Sequence, residues 1–403
     1  MGCVPRGARL ITAPVLLRKA ARGAAVAAAM LLLSPAAGGV ADAQSLPGGP
    51  SVIGPLRRGD DGRVESVTPE TERQSGRPLC DQSALCVGKG ERYPTVAAAL
   101  EAAHAGSTID VVGDTFHERV SLALPHVTVR GTAGRPHFDC AGLALPGDKA
   151  CFSITADGVT LDNLEISGAT VPVAQGGDGA CIRSKDAADL TLASVFCHGS
   201  QNGVIVSGGS VTVTHSEFYG NGGKGIARNA DFGDGCTKLT VTGSIFRDTR
   251  AGDEFTSRCL KTEISDSTFR STQGRRAVDF PDAGDAMIFR STFEKTPGSS
   301  DRYIITFASD SCAHPGSLTL KEITILNSRS DSEIRNFNRC REGTISLQQV
   351  MVQGYGVATV GFFTDFGGNN LGAPMQGAPQ ELPVRPPSPT GINETHEPRQ
   401  DEP

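Results

Sequence analysis

The stretch VTLDNLEI, Val159 to Ile166, decides the fold, because its pattern returns seven more times. The unit is an apolar residue, any residue, a second apolar residue, four further residues and a bulky apolar residue. It recurs as LTLASVFC from Leu190, VTVTHSEF from Val211, LTVTGSIF from Leu239 and TEISDSTF from Thr262, then as AMIFRSTF from Ala286, LTLKEITI from Leu318 and ISLQQVMV from Ile345. Successive copies start 31, 21, 28, 23, 24, 32 and 27 residues apart. A unit of that length cannot bury its apolar face alone but can do so by stacking on its neighbours, so the period predicts a solenoid. The alternating apolar positions, such as Leu239 and Val241, are expected to point into the coil. The bulky one, Phe246, is expected at or just after a bend.

A second extended segment follows most copies: ACIRSK from Ala180, GVIVSG from Gly203, GIARN from Gly225, EFTSR from Glu254, AVDFP from Ala277, YIITFAS from Tyr303 and EIRNFN from Glu333. Gly and Asn at the joints permit sharp corners, and two or three short strands per coil are expected. The fold class predicted is all-β, a single-stranded solenoid of nine or ten coils with a short N-terminal capping helix; that it is a right-handed parallel β-helix is what a family resemblance carried by the N-terminal segment implies.

The segments outside the repeats set the boundaries. Residues 1–43 have the layout of a secretory signal: Arg6, Arg9, Arg18, Lys19 and Arg22, then AAVAAAMLLL, then Ala41-Asp42-Ala43. Its apolar core is too short to span a bilayer, and no later segment could, so no membrane span is expected after cleavage. Residues 44–79 and 369–403, with few large apolar side chains, are read as a flexible leader and a disordered Pro-rich tail. The β-helix domain is then 80–368. An exported chain, periplasmic or extracellular, is implied, and a monomer is expected.

Ten cysteines remain after the signal, an even number that an exported chain uses for disulfides. Cys236 and Cys259 lie 23 residues apart, the same interval as the copies at Leu239 and Thr262. Two cysteines one coil apart would stack about 4.8 Å from each other, close to disulfide geometry. Pairing in chain order is predicted: Cys80 with Cys86, Cys140 with Cys151, Cys181 with Cys197, Cys236 with Cys259, and Cys312 with Cys340. No CxxC occurs and the histidines are scattered along the chain, so neither a metal nor a cofactor is expected.

At the front of the domain, Thr95 can N-cap a short helix with Val96, Leu100 and Ala103 on one face and Gly106 at its end. A strand, Gly106 to Val112, and the turn Gly113-Asp114-Thr115-Phe116-His117-Glu118 follow. This helix, strand and turn resemble the opening of pectin-lyase-like right-handed parallel β-helix proteins. The resemblance covers nearly all of the folded body and implies the fold. For activity it implies only a superfamily that includes lyases, hydrolases, esterases, epimerases and proteins with no known reaction.

Composition narrows the partner. Trp is absent and only 4 Tyr occur, so aromatic sugar platforms would come from few residues. The net charge of −6 argues against nucleic acid. An extended lateral surface suits a polysaccharide, an acidic one where local positive charge concentrates.

Aligning the second segments on Ile226, Phe255, Val278 and Ile305 as inward residues points Glu254, Thr256 and Arg258 outward, with Asp279 stacked on Thr256. Arg228 falls out of phase, which implies an inward turn or a kink. Lys224, Asp253, Arg275, Arg276, Asp282 and Asp285 crowd the flanking bends. A lyase reading uses Arg258, Arg276 and Lys224 to hold a uronate carboxylate while Asp253 or Asp279 relays protons. A glycosidase reading pairs Glu254 with Asp279. The alternative is a solvated ion ladder of Arg258 with Asp279 and Glu254 on a non-catalytic, glycan-binding or structural scaffold. The candidate site is therefore Asp253, Arg258 and Asp279 for catalysis, with Lys224, Glu254 and Arg276 for substrate.

The segments 252–258 and 277–284 also resemble adjoining motifs in a group of exported bacterial β-helix proteins, usually Gly-His-x-Ile-Lys-Ser-Arg and Ser-x-Asp-x-Pro-x-Gly-Gly. Arg258, Asp279, Pro281 and Gly284 match. Asp253 replaces the His, Thr256 the Lys and Ala283 the first closing Gly, which removes both the imidazole and the ammonium. Asp231 and Asp234 in a Gly-rich bend read as a turn rather than a calcium loop. Neither Cys197-His198 nor His215 is assigned chemistry.

Overall fold

A computed structural model describes residues 79–222 and 228–372, together with two short strands that pair antiparallel, Leu56–Arg58 and Val64–Ser66. The expected signal segment, most of the expected leader, Lys224, Ile226 and the residues from 373 lie outside the described residues. Beyond 368, Asn370 bridges to Met351 and Leu371 packs on the core.

Most coils contribute three strands, two to a 20-stranded parallel sheet running around one bend and one to a separate 10-stranded parallel sheet; in two late coils the first two run on as one, Leu318–Asn327 and Ile345–Gly354. The architecture is a parallel β-helix, a solenoid as the repeat predicts. The inward position of the repeat runs in register from coil to coil: Leu161, Leu192, Val213, Val241, Ile264, Ile288, Leu320 and Leu347. The same column continues backward through Val129 to Ile109, so the repeat begins before the first copy that the pattern reveals. The bulky position forms a second column, with the Phe218, Phe246, Phe269 and Phe293 rings stacked at 5.3, 5.3 and 5.1 Å. Identical side chains meet because parallel strands in register place the same repeat position about 4.8 Å apart.

The corner between the two inward columns has a fixed construction. The fifth residue of all eight copies (Asn163, Ser194, His215, Gly243, Asp266, Arg290, Glu322 and Gln349) is left-handed, with φ between 43° and 59°. One such residue per coil turns the chain sharply enough that the sixth faces inward. In four coils that sixth residue is a buried serine: Ser216, Ser244, Ser267 and Ser291. Each hydroxyl donates to the carbonyl two residues before it. Each also accepts the N–H of the sixth residue in the preceding coil, at 3.0, 3.2, 3.2 and 3.1 Å. The ladder satisfies backbone groups that the bend removes from strand pairing, which burial without a partner would make costly.

The N-terminal helix spans Val96–Ala102, ending before Gly106. The Thr95 hydroxyl accepts the Ala98 N–H, and the Glu118 carboxylate accepts those of Val96 and Ala97 at 2.9 and 3.1 Å. The terminal glutamate of the GDTFHE turn is therefore the anchor of the helix N-terminus. All five disulfides join the expected pairs, and the Cα atoms of Cys236 and Cys259 stand 4.4 Å apart on successive coils.

Candidate functional site

The outer face of the ten-stranded sheet carries part of the charged set singled out by the sequence. Thr256 pairs with Asp279 and Phe255 with Val278, and Val278 pairs in turn with Ile305, as expected. One coil earlier the expectation fails. The strand is Ala230–Phe232, and Ala230, not Ile226, lies against Phe255. Asp231 therefore joins the outward column, which reads Asp231, Thr256, Asp279, Thr306 and Arg335 over five coils. Four strand spacings make this column about 19 Å long.

The corrected register also explains Arg228. It stands three residues before Asp231 and bonds to its carboxylate, as Arg276 stands three before Asp279 and bonds to that one. In the coil between them Asp253 occupies the arginine slot. Its two oxygens lie 3.9 Å from the Nε atoms of Arg228 and Arg276, and Oδ1 accepts the Arg276 backbone N–H at 3.2 Å. The corner is thus an Arg-Asp-Arg ladder beside an Asp-Thr-Asp column.

Asp279 is 4% exposed. Besides Arg276, its carboxylate accepts from Thr306 Oγ1 at 2.5 Å and Ser309 Oγ at 2.9 Å. Burial dominates its titration, and the neighbouring Asp253 adds to the effect. Arg276 and the two hydroxyls only partly offset them, so the pKa rises to about 6. Burial likewise raises Asp231 against the opposing pull of Arg228. Burial disfavours the Arg276 cation, but Asp279, Asp253 and Asp301 outweigh it and hold its pKa above the usual value.

Glu254 is not on this face. It is 0% exposed and turns into the coil, where it accepts the Thr249 N–H at 3.1 Å and the Asn229 amide at 2.5 Å. Strict alternation fails because Glu254 immediately precedes the strand Phe255–Ser257 and belongs to the corner. Burial drives its pKa well above that of an ordinary carboxylate. Glu254 therefore does not point outward as expected, and it does not share the outer face with Asp279. Arg258 does not meet Asp279 or Glu254 in a ladder. It pairs with Asp282 and, at 2.8 Å, with Asp310. Asp253 is 1% exposed, covered by the two arginines that flank it.

Sequence reading missed the aromatic end of the same face. Tyr303 and Phe337, both half-buried, pack edge to face at 6.0 Å. The guanidinium groups of Arg302 and Arg335 lie 5.4 and 5.9 Å from the Tyr303 ring, and Arg335 lies 5.0 Å from Phe337. Both aromatic residues lay in segments recognised as strands, YIITFAS and EIRNFN. Only the register of the strands unites them.

A long in-register polar face on a disulfide-braced stack of parallel strands defines the class of protein that the geometry supports, a parallel β-solenoid. Comparison with solved structures agrees on the fold. An alginate lyase from Paenibacillus sp. str. FPU-7 matches with a TM-score of 0.52 and 17% identity, over 66% of this chain and 94% of that one. A rhamnogalacturonan lyase matches with a TM-score of 0.52 and 11% identity, over 70% of this chain and 85% of that one. No protein-family model matches the chain. No curated protein matches it either.

Proposed function

We propose that this chain is an exported carbohydrate-active β-helix protein that binds an acidic polysaccharide along the outer face of its ten-stranded sheet, without cleaving it. The observation that carries the reading is the state of the three carboxylates considered for chemistry. Asp253, Glu254 and Asp279 are 1%, 0% and 4% exposed, and each is engaged by donors of the protein itself. A proton acceptor or nucleophile must reach the sugar, and the burial of these three weighs against that role. Binding needs only the surface. Tyr303 and Phe337 offer aromatic surface to a sugar, and Arg302 and Arg335, 44% and 30% exposed, offer to its carboxylates the part of each guanidinium that their shared partner Glu333 leaves uncovered. Support for a glycan also comes from the names of the two fold neighbours, both polysaccharide lyases. Five disulfides and the signal-like segment support export.

A lyase is the second reading, and one observation favours it. Asp279, with its pKa raised to about 6 beside Arg276, pairs a proton acceptor suited to neutral pH with a cation. Affinity electrophoresis of the oxidised protein through gels containing acidic and neutral polysaccharides distinguishes the two readings when run beside an ultraviolet assay for unsaturated uronate ends. Retardation by an acidic polymer, reduced in Tyr303→Ala and in Arg335→Ala, without new absorbance, is the expected result. New absorbance abolished by Asp279→Asn would replace it with the lyase reading. Retardation by no polymer would overturn glycan binding.

A further inference from the structure

The outer face of the other sheet holds a cluster that the glycan reading does not use. His137 and Glu165 pair directly on successive strands, and His198 sits one coil further on and two residues along, opposite Ser167. One ligand atom from each of the three lies within 4.8 Å of the others. His198 Nε2 is 2.9 Å from Glu165 Oε1, and His137 Nε2 is 2.8 Å from Ser167 Oγ. The histidines are scattered in the sequence, and the coil stacks them.

We propose that His137, Glu165 and His198 form a binding site for a divalent transition-metal ion, specifically zinc, with remaining coordination positions open to water. Two imidazole nitrogens and one carboxylate oxygen match the donors that zinc takes when three protein ligands leave a position free. Hard cations such as calcium and magnesium require oxygen ligands, which two of these three residues do not provide. Zinc bonds of about 2.0 to 2.2 Å set tetrahedral ligand atoms about 3.4 Å apart, so the cluster closes on a metal with side-chain movement of roughly 1 Å. The strands beneath stay fixed.

The surroundings favour a metal over a simple ion pair. His198 and Glu165 are 23% and 19% exposed, so the site is reachable from solvent yet partly desolvated. The His198 ring stacks on Tyr219 at 4.8 Å, and Arg247 covers Tyr219 at 4.4 Å, which fixes the plane of the imidazole. The nearby Arg135 is directed over the Phe196 ring at 3.5 Å and donates to Asn163 at 3.2 Å, so it acts on Glu165 through its charge rather than by a hydrogen bond. The Ser167 hydroxyl can bond to a metal-held water.

The test uses the full oxidised chain without affinity-tag histidines, titrated with Zn2+ by calorimetry and with Co2+ by visible spectroscopy. One equivalent of Zn2+ is expected, unaffected by excess Ca2+, with intense Co2+ bands of four- or five-coordination. His198→Ala and Glu165→Gln should each weaken uptake by at least about tenfold, while His104→Ala, elsewhere on the surface, leaves it unchanged. Zn2+ should raise the melting temperature of the parent and not of His198→Ala, because the ligands come from three successive coils. Should either variant fail to fold, His137→Gln takes its place. Uptake far below one equivalent, or equal uptake in the parent and in a folded ligand variant, would overturn the site.

Discussion

Titration of Asp279 tests the most consequential property of the charged face. Its carboxyl is held by Thr306, Ser309 and Arg276 under almost complete cover, and its pKa rises from 3.8 to about 6. The folded protein therefore keeps a proton that the unfolded chain releases between those values. A group with a raised folded pKa contributes stability that is fully present below the unfolded pKa and is lost as pH rises through the folded one. The whole effect is about 3 kcal/mol, of which roughly 1 to 1.5 kcal/mol falls between about pH 5 and about pH 7. Asp279→Asn cannot titrate and serves as the reference. The difference in denaturation free energy between parent and variant should shift against the parent by that amount as pH rises over this interval. Carboxyl carbon NMR gives the midpoint directly, because the Asp279 resonance is identified as the one missing from the spectrum of Asp279→Asn. A stability difference that stays flat from about pH 5 to about pH 7, with a carboxyl midpoint near the ordinary aspartate value, would refute the reasoning. Asp279 would then be ionised throughout, and the lyase reading would lose its one support.

Further predictions concern the scaffold that positions this face. Glu254→Ala strands the Thr249 N–H and the Asn229 amide inside the coil, which should cost about 2 to 4 kcal/mol by chemical denaturation while leaving glycan retardation unchanged, since Glu254 does not reach the surface. Phe269→Ala opens a gap between rings at 5.3 and 5.1 Å and should destabilise by about 3 to 5 kcal/mol, measured the same way. Ser244→Ala removes the acceptor of the Ser216 N–H and should cost about 1 to 3 kcal/mol, with amide exchange accelerated at Ser216.

The repeat pattern carried the fold because solenoid geometry is written locally. Two inward apolar positions, one left-handed corner and one bulky inward residue define each coil, and stacking in register repeats them. Disulfide pairing followed from the same period, as Cys236 and Cys259 show. The left-handed corner itself was not legible, because its occupants range from Gly243 to Arg290 and Glu322. Backbone geometry is imposed there by the packing on both sides rather than by a preferred residue type.

The candidate site divided differently. The sequence determined which residues were close along the second strands, and Asp279 does stack on Thr256. It could not place Glu254, because strand alternation holds within a pleat and stops at a corner. It could not give Asp231 its position either, because only pairing with Phe255–Ser257 fixes the phase. Tyr303 with Phe337, and His137 with Glu165 and His198, are juxtaposed solely by coil stacking. Local periodicity sets the coil, but coil-to-coil register decides which distant side chains share a surface, and register is a property of the stacked chain.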